Sequence, residues 1–259
     1  MEIDKTAIVD KGAELGNNVS IGPYSVIEPG TTIGDGTEIR SHVVIKTGTR
    51  IGPNCRIHHG AVLGGEPQDV KFEGEESYLT IGAGTVIREY VTAHRADGEG
   101  VSTEIGGGCM IMVSSHVAHN CRIGDEVTMA NLSTLGGFVK VGDRAFLGGL
   151  CGVHQFAHIG EYAMVGGGCT VLEDVPPYMM VTGGHRPPVC GLNTVGLMRA
   201  GFSGEVRKAL KQAYRIMFKQ GLKAEEAAAH LKEKYAGIEE VNKIVEFIEA
   251  TERGISRGR

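Results

Sequence analysis

From Val9 to Leu63 an aliphatic residue falls on every sixth position without a miss: Val9, Leu15, Ile21, Ile27, Ile33, Ile39, Ile45, Ile51, Ile57 and Leu63. Two residues ahead of each stands a compact one, from Ala7 and Ala13 through Thr37 and Cys55 to Ala61. A six-residue period fits neither the 3.6-residue helix nor a straight two-faced strand, so the backbone must turn a corner every six residues. That is the pattern of a hexapeptide parallel β-helix, in which three short strands close a triangular coil of about eighteen residues. The large aliphatics fill the prism and the compact residues fit beside them. The repeat is faint at Ile81 and Ile87 and strict again from Ile105 through Ile111, Val117, Ile123, Met129 and Leu135 to Val171. Glycine often follows the aliphatic, as at Gly16, Gly52, Gly124 and Gly142. It suits corners that need positive φ or close approach of neighbouring coils.

Composition agrees with a narrow core. Tryptophan is absent and only 5% of residues are aromatic, so the interior must be built from Ile, Val and Leu. Five of the six cysteines, Cys55, Cys109, Cys121, Cys151 and Cys169, occupy the compact inward position. They read as buried small hydrophobes. No CxxC pair occurs, which disfavours both a disulfide framework and a thiolate zinc site. The first residues show no basic-then-apolar leader, and no apolar run approaches the roughly twenty residues of a membrane span. The expectation is a soluble cytoplasmic protein. The net charge of −5 is uneven: residues 1–190 carry 13 Lys/Arg against 22 Asp/Glu, and residues 191–259 carry 13 against 9. The basic tail is either an ordinary solvated helical surface or a docking face for an acidic partner. No cluster of basic residues interleaved with aromatics points to nucleic acid.

The breaks in the repeat define the organisation. Residues 64–78 are polar and irregular, and 94–102 form a second, smaller interruption. Solenoids eject insertions as surface loops, and loops on a rigid scaffold often carry chemistry. After Val171, Pro176, Pro177, Pro187 and Pro188 are expected to end the strand ladder. Beyond residue 191 the spacing becomes helical, with Ser203 as an N-cap and helices expected over 205–220, 224–235 and 239–251. This gives a β-helical domain, 1–190, followed by an α-helical domain, 191–259, that covers the open end of the solenoid.

Histidine carries the chemical signal. His116 and His119 flank Val117, and His154 follows Val153. The difference of 36 residues is two coils, which puts these segments on one face roughly 9–10 Å apart. His94, at the edge of the second insertion, can join them. An outward imidazole beside a loop is a reasonable general base. Ser114 and Ser115 lack an elbow setting, so covalent acyl-enzyme chemistry is disfavoured. Direct attack by an acceptor hydroxyl needs a base and an oxyanion donor. Gly136-Gly137, one coil beyond His119, could supply the backbone N–H.

The stretches GGEPQDVKF (64–72), IREYVTAHR (87–95), HVAHN (116–120), VHQF (153–156), DVPPY (174–178) and GLNTVGLMRAGFS (191–203) resemble the bacterial UDP-N-acetylglucosamine 3-O-acyltransferases of lipid A assembly. The resemblance spans essentially the whole chain. It implies a homotrimer of left-handed β-helices, an exception to the right-handed crossover rule, with active sites between subunits. It further implies that His119 is the general base, that the Gly137 N–H is the oxyanion donor, and that Gln68, Asp69 and Lys71 hold the sugar and acyl chain. His94, His116, His154 and Gln155 match substrate-lining positions, Asn193 and Arg199 match contacts to the nucleotide end, and Gly167 matches the residue that sets acyl length. The donor would be an (R)-3-hydroxyacyl group on acyl carrier protein, an acidic partner, with neither metal nor cofactor.

This chain departs from that pattern at three positions. Asn120 stands where an aspartate usually follows the base, Phe138 where a histidine is common, and Val195 where a glutamate is common. Two other enzymes on this scaffold are compatible with the repeat. One is a glucosamine N-acyltransferase, which usually carries an additional N-terminal domain. The other is a trimeric γ-type carbonic anhydrase, in which three histidines from two subunits bind zinc, with His94, His116 and His119 as the candidates here. A non-catalytic scaffold is the third alternative.

Overall fold

The computed structural model describes residues 2–257 and is a left-handed parallel β-helix followed by helices. Strands of two to four residues stack into three flat faces of eleven, nine and eight strands, one per side of the prism. Equivalent residues pair in parallel along each face, for example Val117 with Leu135 and Leu135 with Val153. Each step is 18 residues, as the six-residue period requires for three sides. The two insertions lengthen two consecutive coils: Leu63 pairs with Ala93, 30 residues on, and Ala93 with Val117, 24 residues on. Both leave the prism at the corner after the nine-stranded face.

The aliphatic of every repeat is turned inward. Ile57, Leu63, Ile87, Ile111, Val117, Leu135 and Leu147 are fully buried, as are the compact partners Cys55, Cys121 and Cys169. Burial of each such aliphatic contributes about 1.5–3 kcal/mol, and the ladder repeats it coil after coil. The thiols accept their place as hydrophobes. Burial pushes Cys121 and Cys151 up to about 12 and Cys109 to about 11, so none is poised as a thiolate.

Of the two roles expected of the glycines that follow the aliphatic, Gly16, Gly52, Gly124 and Gly142 serve close approach, and Gly64, where the first insertion leaves, takes positive φ (78°). A Cβ on Gly142 would lie 2.5 Å from the Glu161 nitrogen of the next coil. The left-handed position falls later in each corner, where glycine takes it in some coils, as at Gly60, Gly108 and Gly168, and side-chain-bearing residues in others, including Asn120 (φ 60°), Phe138 (62°) and Phe156 (66°). Such conformations cost of order 1 kcal/mol each and persist because the coils above and below dictate them.

The prolines do not end the ladder at once. Met179–Val181 pairs in parallel with Met164–Val165 and antiparallel with Val189–Leu192, so one further partial turn follows Val171. Pro176-Pro177 and Pro187-Pro188 lie in the connections, where a missing N–H does no harm. Four helices follow: α1 (Thr194–Arg199), α2 (Gly204–Lys219), α3 (Ala224–Tyr235) and α4 (Glu239–Ala250). The Ser203 hydroxyl caps α2 by accepting from the Val206 N–H. Helix α4 is held to the last coils by Lys243 on Glu161, by Phe247 against the His158 ring at 4.5 Å, and by Thr251 on Asp174. Among the described residues no helix is long and apolar enough to cross a membrane.

Candidate active site

Three coils stack at the corner that the insertions share, and they bring together His119, Gly137 and Gln155. The Phe138 N–H donates to the His119 carbonyl and the Phe156 N–H to the Gly137 carbonyl, each at 3.0 Å. The 18-residue spacing proposed from sequence is therefore the spacing of the corner itself. A Cβ on Gly137 would lie 2.7 Å from His119 Nε2 and 2.8 Å from Cε1, so only glycine lets the imidazole lie over this turn. The Gly137 N–H has no backbone or side-chain acceptor among the described residues. The equivalent N–H groups of Asn17, Gly107 and Asp125, at another corner, are taken up by Asp35, Asp125 and Asp143. Gly137 thus keeps a donor available to a bound oxygen.

The protonation pattern of His119 follows from its neighbours. The Asn120 amide is clamped by the backbone of Asp97: its Oδ1 accepts from the Asp97 N–H at 2.8 Å and its Nδ2 donates to the Asp97 carbonyl at 2.9 Å. That pairing excludes the flipped amide. The Asn120 oxygen therefore faces His119 Nδ1 at 2.9 Å and must receive a hydrogen from it. Nε2 is left with its lone pair, as a general base requires. The Asn120 N–H is fixed as well, donating to Thr103 Oγ1. At 9% exposure the ring is nearly enclosed. Phe138 closes one side, packing edge-to-face on His119 at 5.3 Å and stacking on Phe156 at 4.9 Å.

Around this point lies a shallow cleft of about 390 Å³, lined by Gly136, Gly137, His154, Gln155, Thr170 and Leu172. His154 donates its Nδ1 hydrogen to the Gln155 carbonyl at 3.0 Å, because a carbonyl can only accept. The floor of the nine-stranded face is paved with small residues in register, Thr134, Gly152 and Thr170. It ends at the opposite corner with Gly149 and Gly167, where a Cβ on Gly167 would lie 3.2 Å from the Gly149 carbonyl oxygen.

His116 and His94 flank the base as neutral rings. Their centroids are 5.0 Å apart, and His116 Nδ1 bonds the Thr92 hydroxyl at 2.7 Å. Burial, reinforced by the neighbouring His94 and His119, lowers His116 to about 4, and burial also lowers His94. His94 Nδ1 is buried without a partner. Among the described residues no group of three His, Cys, Asp or Glu is arranged to hold a metal ion. His94, His116 and His119 thus do not form a ligand set within one chain.

Gln68, Asp69 and Lys71 sit on the first insertion, whose tip is shaped by an Asx turn from Asp69 Oδ1 to the Lys71 N–H. That insertion is tied to the second one by Arg95 to Gly65 and Gly100 to Glu76 backbone bonds. Asn193 caps α1 through Gly196 and donates its Nδ2 hydrogen to the Tyr162 carbonyl, at a different edge of the prism. Arg199 ends that helix, exposed, and Val195 is exposed on it. Sequence reading missed Asp97, Thr103 and Thr92, which hold the imidazoles. Asp97 acts through its backbone, so its side chain gives no signal.

Residues 174–256 match the family profile described as UDP N-acetylglucosamine O-acyltransferase, domain 2. Residues 12–47, 30–65 and 102–137 match the bacterial transferase hexapeptide of six repeats. The acyl-(acyl-carrier-protein)-UDP-N-acetylglucosamine O-acyltransferase of Thermodesulfovibrio yellowstonii is 48% identical over 99% of both chains. That of Trichlorobacter lovleyi is 52% identical over 100% of both. The crystal structure of UDP-N-acetylglucosamine O-acyltransferase from Moraxella catarrhalis superposes with a TM-score of 0.95 at 37% identity, covering 99% of this chain and 100% of that one. Full-length identity of this size places the chain in the UDP-N-acetylglucosamine O-acyltransferase family.

Proposed function

We propose that this protein transfers an (R)-3-hydroxyacyl group from acyl carrier protein to the 3-hydroxyl of UDP-N-acetylglucosamine, an early step of lipid A biosynthesis in the cytoplasm. The observation that carries the reading is the corner itself: an imidazole with Nδ1–H committed to Asn120, its Nε2 lying over a glycine whose N–H has no acceptor. His119 Nε2 takes the proton of the sugar hydroxyl as its oxygen attacks the thioester carbonyl, forming the C–O bond. The Gly137 N–H donates to the oxyanion of the tetrahedral intermediate. Collapse breaks the C–S bond, and the imidazolium returns its proton to the departing thiolate.

The remaining roles belong to the same proposal. The small-residue floor between His119 and Gly167 supports an acyl chain lying across the nine-stranded face, with Gly167 bounding its length. His94, His116, His154 and Gln155 line the acceptor site. Gln68, Asp69 and Lys71 reach the sugar and chain from the first insertion. Asn193 and Arg199 lie on another edge of the prism, so they serve the nucleotide end when a neighbouring subunit brings them to the cleft; a homotrimer with sites between subunits meets that need. The helical segment, residues 191–259, acts as a second domain with a surplus of cations, 13 against 9, and is the docking face for the acidic carrier. The test is an assay with 3-hydroxyacyl carrier protein and UDP-N-acetylglucosamine, following ester formation and thiol release together. Absence of product with every donor length overturns the reading.

A further inference from the structure

We infer that the segment following α4, Arg253–Arg257, tunes acyl-length discrimination by fixing a loop at the far end of the acyl floor, with Ser256 as the positioning residue; the inference rests on the function proposed above. The loop is residues 182–188, which joins strand Met179–Val181 to strand Val189–Leu192. The Thr170 N–H donates to its Gly184 carbonyl at 2.8 Å, and its Arg186 N–H donates to the Thr170 carbonyl at 3.0 Å. His185 thereby pairs in parallel with Thr170. Since Thr134, Gly152 and Thr170 are the small-residue floor of the nine-stranded face, the loop adds one more rung to that floor. Gly167 bounds the floor at the corner, and the loop bounds it along the axis of the prism.

The loop has little to stiffen it from within. Residues 182–186 are exposed, and Gly183 (φ 112°) and Gly184 lead into the rung. Such a segment holds one position only when something outside it does the holding. The segment after α4 supplies that brace. The Ser256 hydroxyl donates to the Pro187 carbonyl, and both residues are buried. Among the described residues this is the only hydrogen bond between the segment and the loop. The segment is itself anchored to the last coil: the Asp174 N–H donates to the Gly254 carbonyl and the Ser256 N–H to the Asp174 carbonyl, each at 2.9 Å, with Ile255 buried between them. Arg253 Nε donates to the carbonyl of Leu172, which lines the cleft beside Thr170, at 3.1 Å. Arg257 reaches the Leu222 carbonyl in the connection between α2 and α3 at 3.0 Å. The contacts run from the helices to the end of the acyl floor, and none touches His119 or Gly137. A braced rung excludes the last carbons of an overlong donor, whereas a loosened one yields to them.

The test compares wild type, Ser256→Ala and Ser256→Thr across a series of 3-hydroxyacyl carrier proteins of increasing chain length. In Ser256→Ala, kcat/KM for the preferred donor should stay within about twofold of wild type while the ratio for longer donors over the preferred one rises about fivefold, the effect of one buried hydrogen bond. Ser256→Thr keeps the hydroxyl and should restore the wild-type ratio. Arg253→Met, which removes the bond to Leu172, loosens the brace from its other end and should shift the ratio in the same direction. Hydrogen exchange of the Arg186 N–H, followed in the same proteins, should quicken in Ser256→Ala and recover in Ser256→Thr. A purely structural role would lower kcat/KM for all donors alike and leave the ratio unchanged, and that result overturns the inference. Faster exchange with an unchanged ratio also overturns it, because the loop is then braced but does not bound the chain. Wild-type protein inert with every donor overturns the parent function instead, and the exchange arm still decides whether Ser256 holds the loop.

Discussion

His119 and Asn120 are adjacent in sequence, yet the 2.9 Å bond between Nδ1 and Oδ1 is set from 23 residues away, by the Asp97 backbone that brackets the Asn120 amide. A neutral amide thus orients the ring, without the charge that a carboxylate would bring to stabilise an imidazolium. The second insertion is what makes this possible, since it carries Asp97 to the corner.

Asn120→Ala removes both the acceptor for Nδ1–H and the tether to Asp97. The expected outcome is a kcat lower by about 10–100-fold with little change in KM, as for loss of a group that orients a catalytic imidazole. Steady-state kinetics checks it, and a proton spectrum of the imidazole N–H should lose its hydrogen-bonded downfield signal.

Gly137→Ala puts a methyl 2.7 Å from Nε2 and forces the ring or the turn to move. A displacement of this kind should lower kcat by about 100-fold. The melting temperature should change little, because the corner faces outward and the ladder aliphatics are untouched.

Gly167→Met narrows the far end of the nine-stranded face, where even a Cβ is 3.2 Å from the Gly149 carbonyl oxygen. The preferred donor should become shorter by several carbons, read as a shift in relative kcat/KM across a donor-length series. An unchanged preference would move the chain terminus elsewhere.

Acid should destabilise the protein through its neutral histidines. His116 is lowered from 6.5 to about 4, first by burial and then by His94 and His119, so between those values the unfolded chain binds the proton more readily than the folded one. Stability from this group is full above about pH 6.5 and is lost progressively as pH falls toward about 4. Melting temperatures at about pH 7.5 and about pH 5 should therefore differ less in His116→Gln than in wild type.

The prism was legible because its core is one-dimensional: each inward aliphatic sees only its neighbours one coil away, so a six-residue phase in sequence is a contact map in space. The corner of His119 and Gly137 was legible for the same reason, as 119 and 137 differ by one coil. What escaped was whatever works through backbone or across insertions. Asp97 holds Asn120 with its peptide groups, and the partial turn at Met179–Val181 survives the prolines because they fall in connections. The left-handed residues Asn120, Phe138 and Phe156 were hidden too, since the glycines drew attention to a different position of the corner.

The central claim is that His119 Nε2 removes the proton from the acceptor hydroxyl. The most direct measurement is kcat for acyl transfer by His119→Gln, with circular dichroism to confirm that the β-helix persists. The account requires a fall of at least about 100-fold with the KM values of both substrates nearly unchanged. A variant that folds and keeps more than about a tenth of the wild-type kcat would show that the base lies elsewhere.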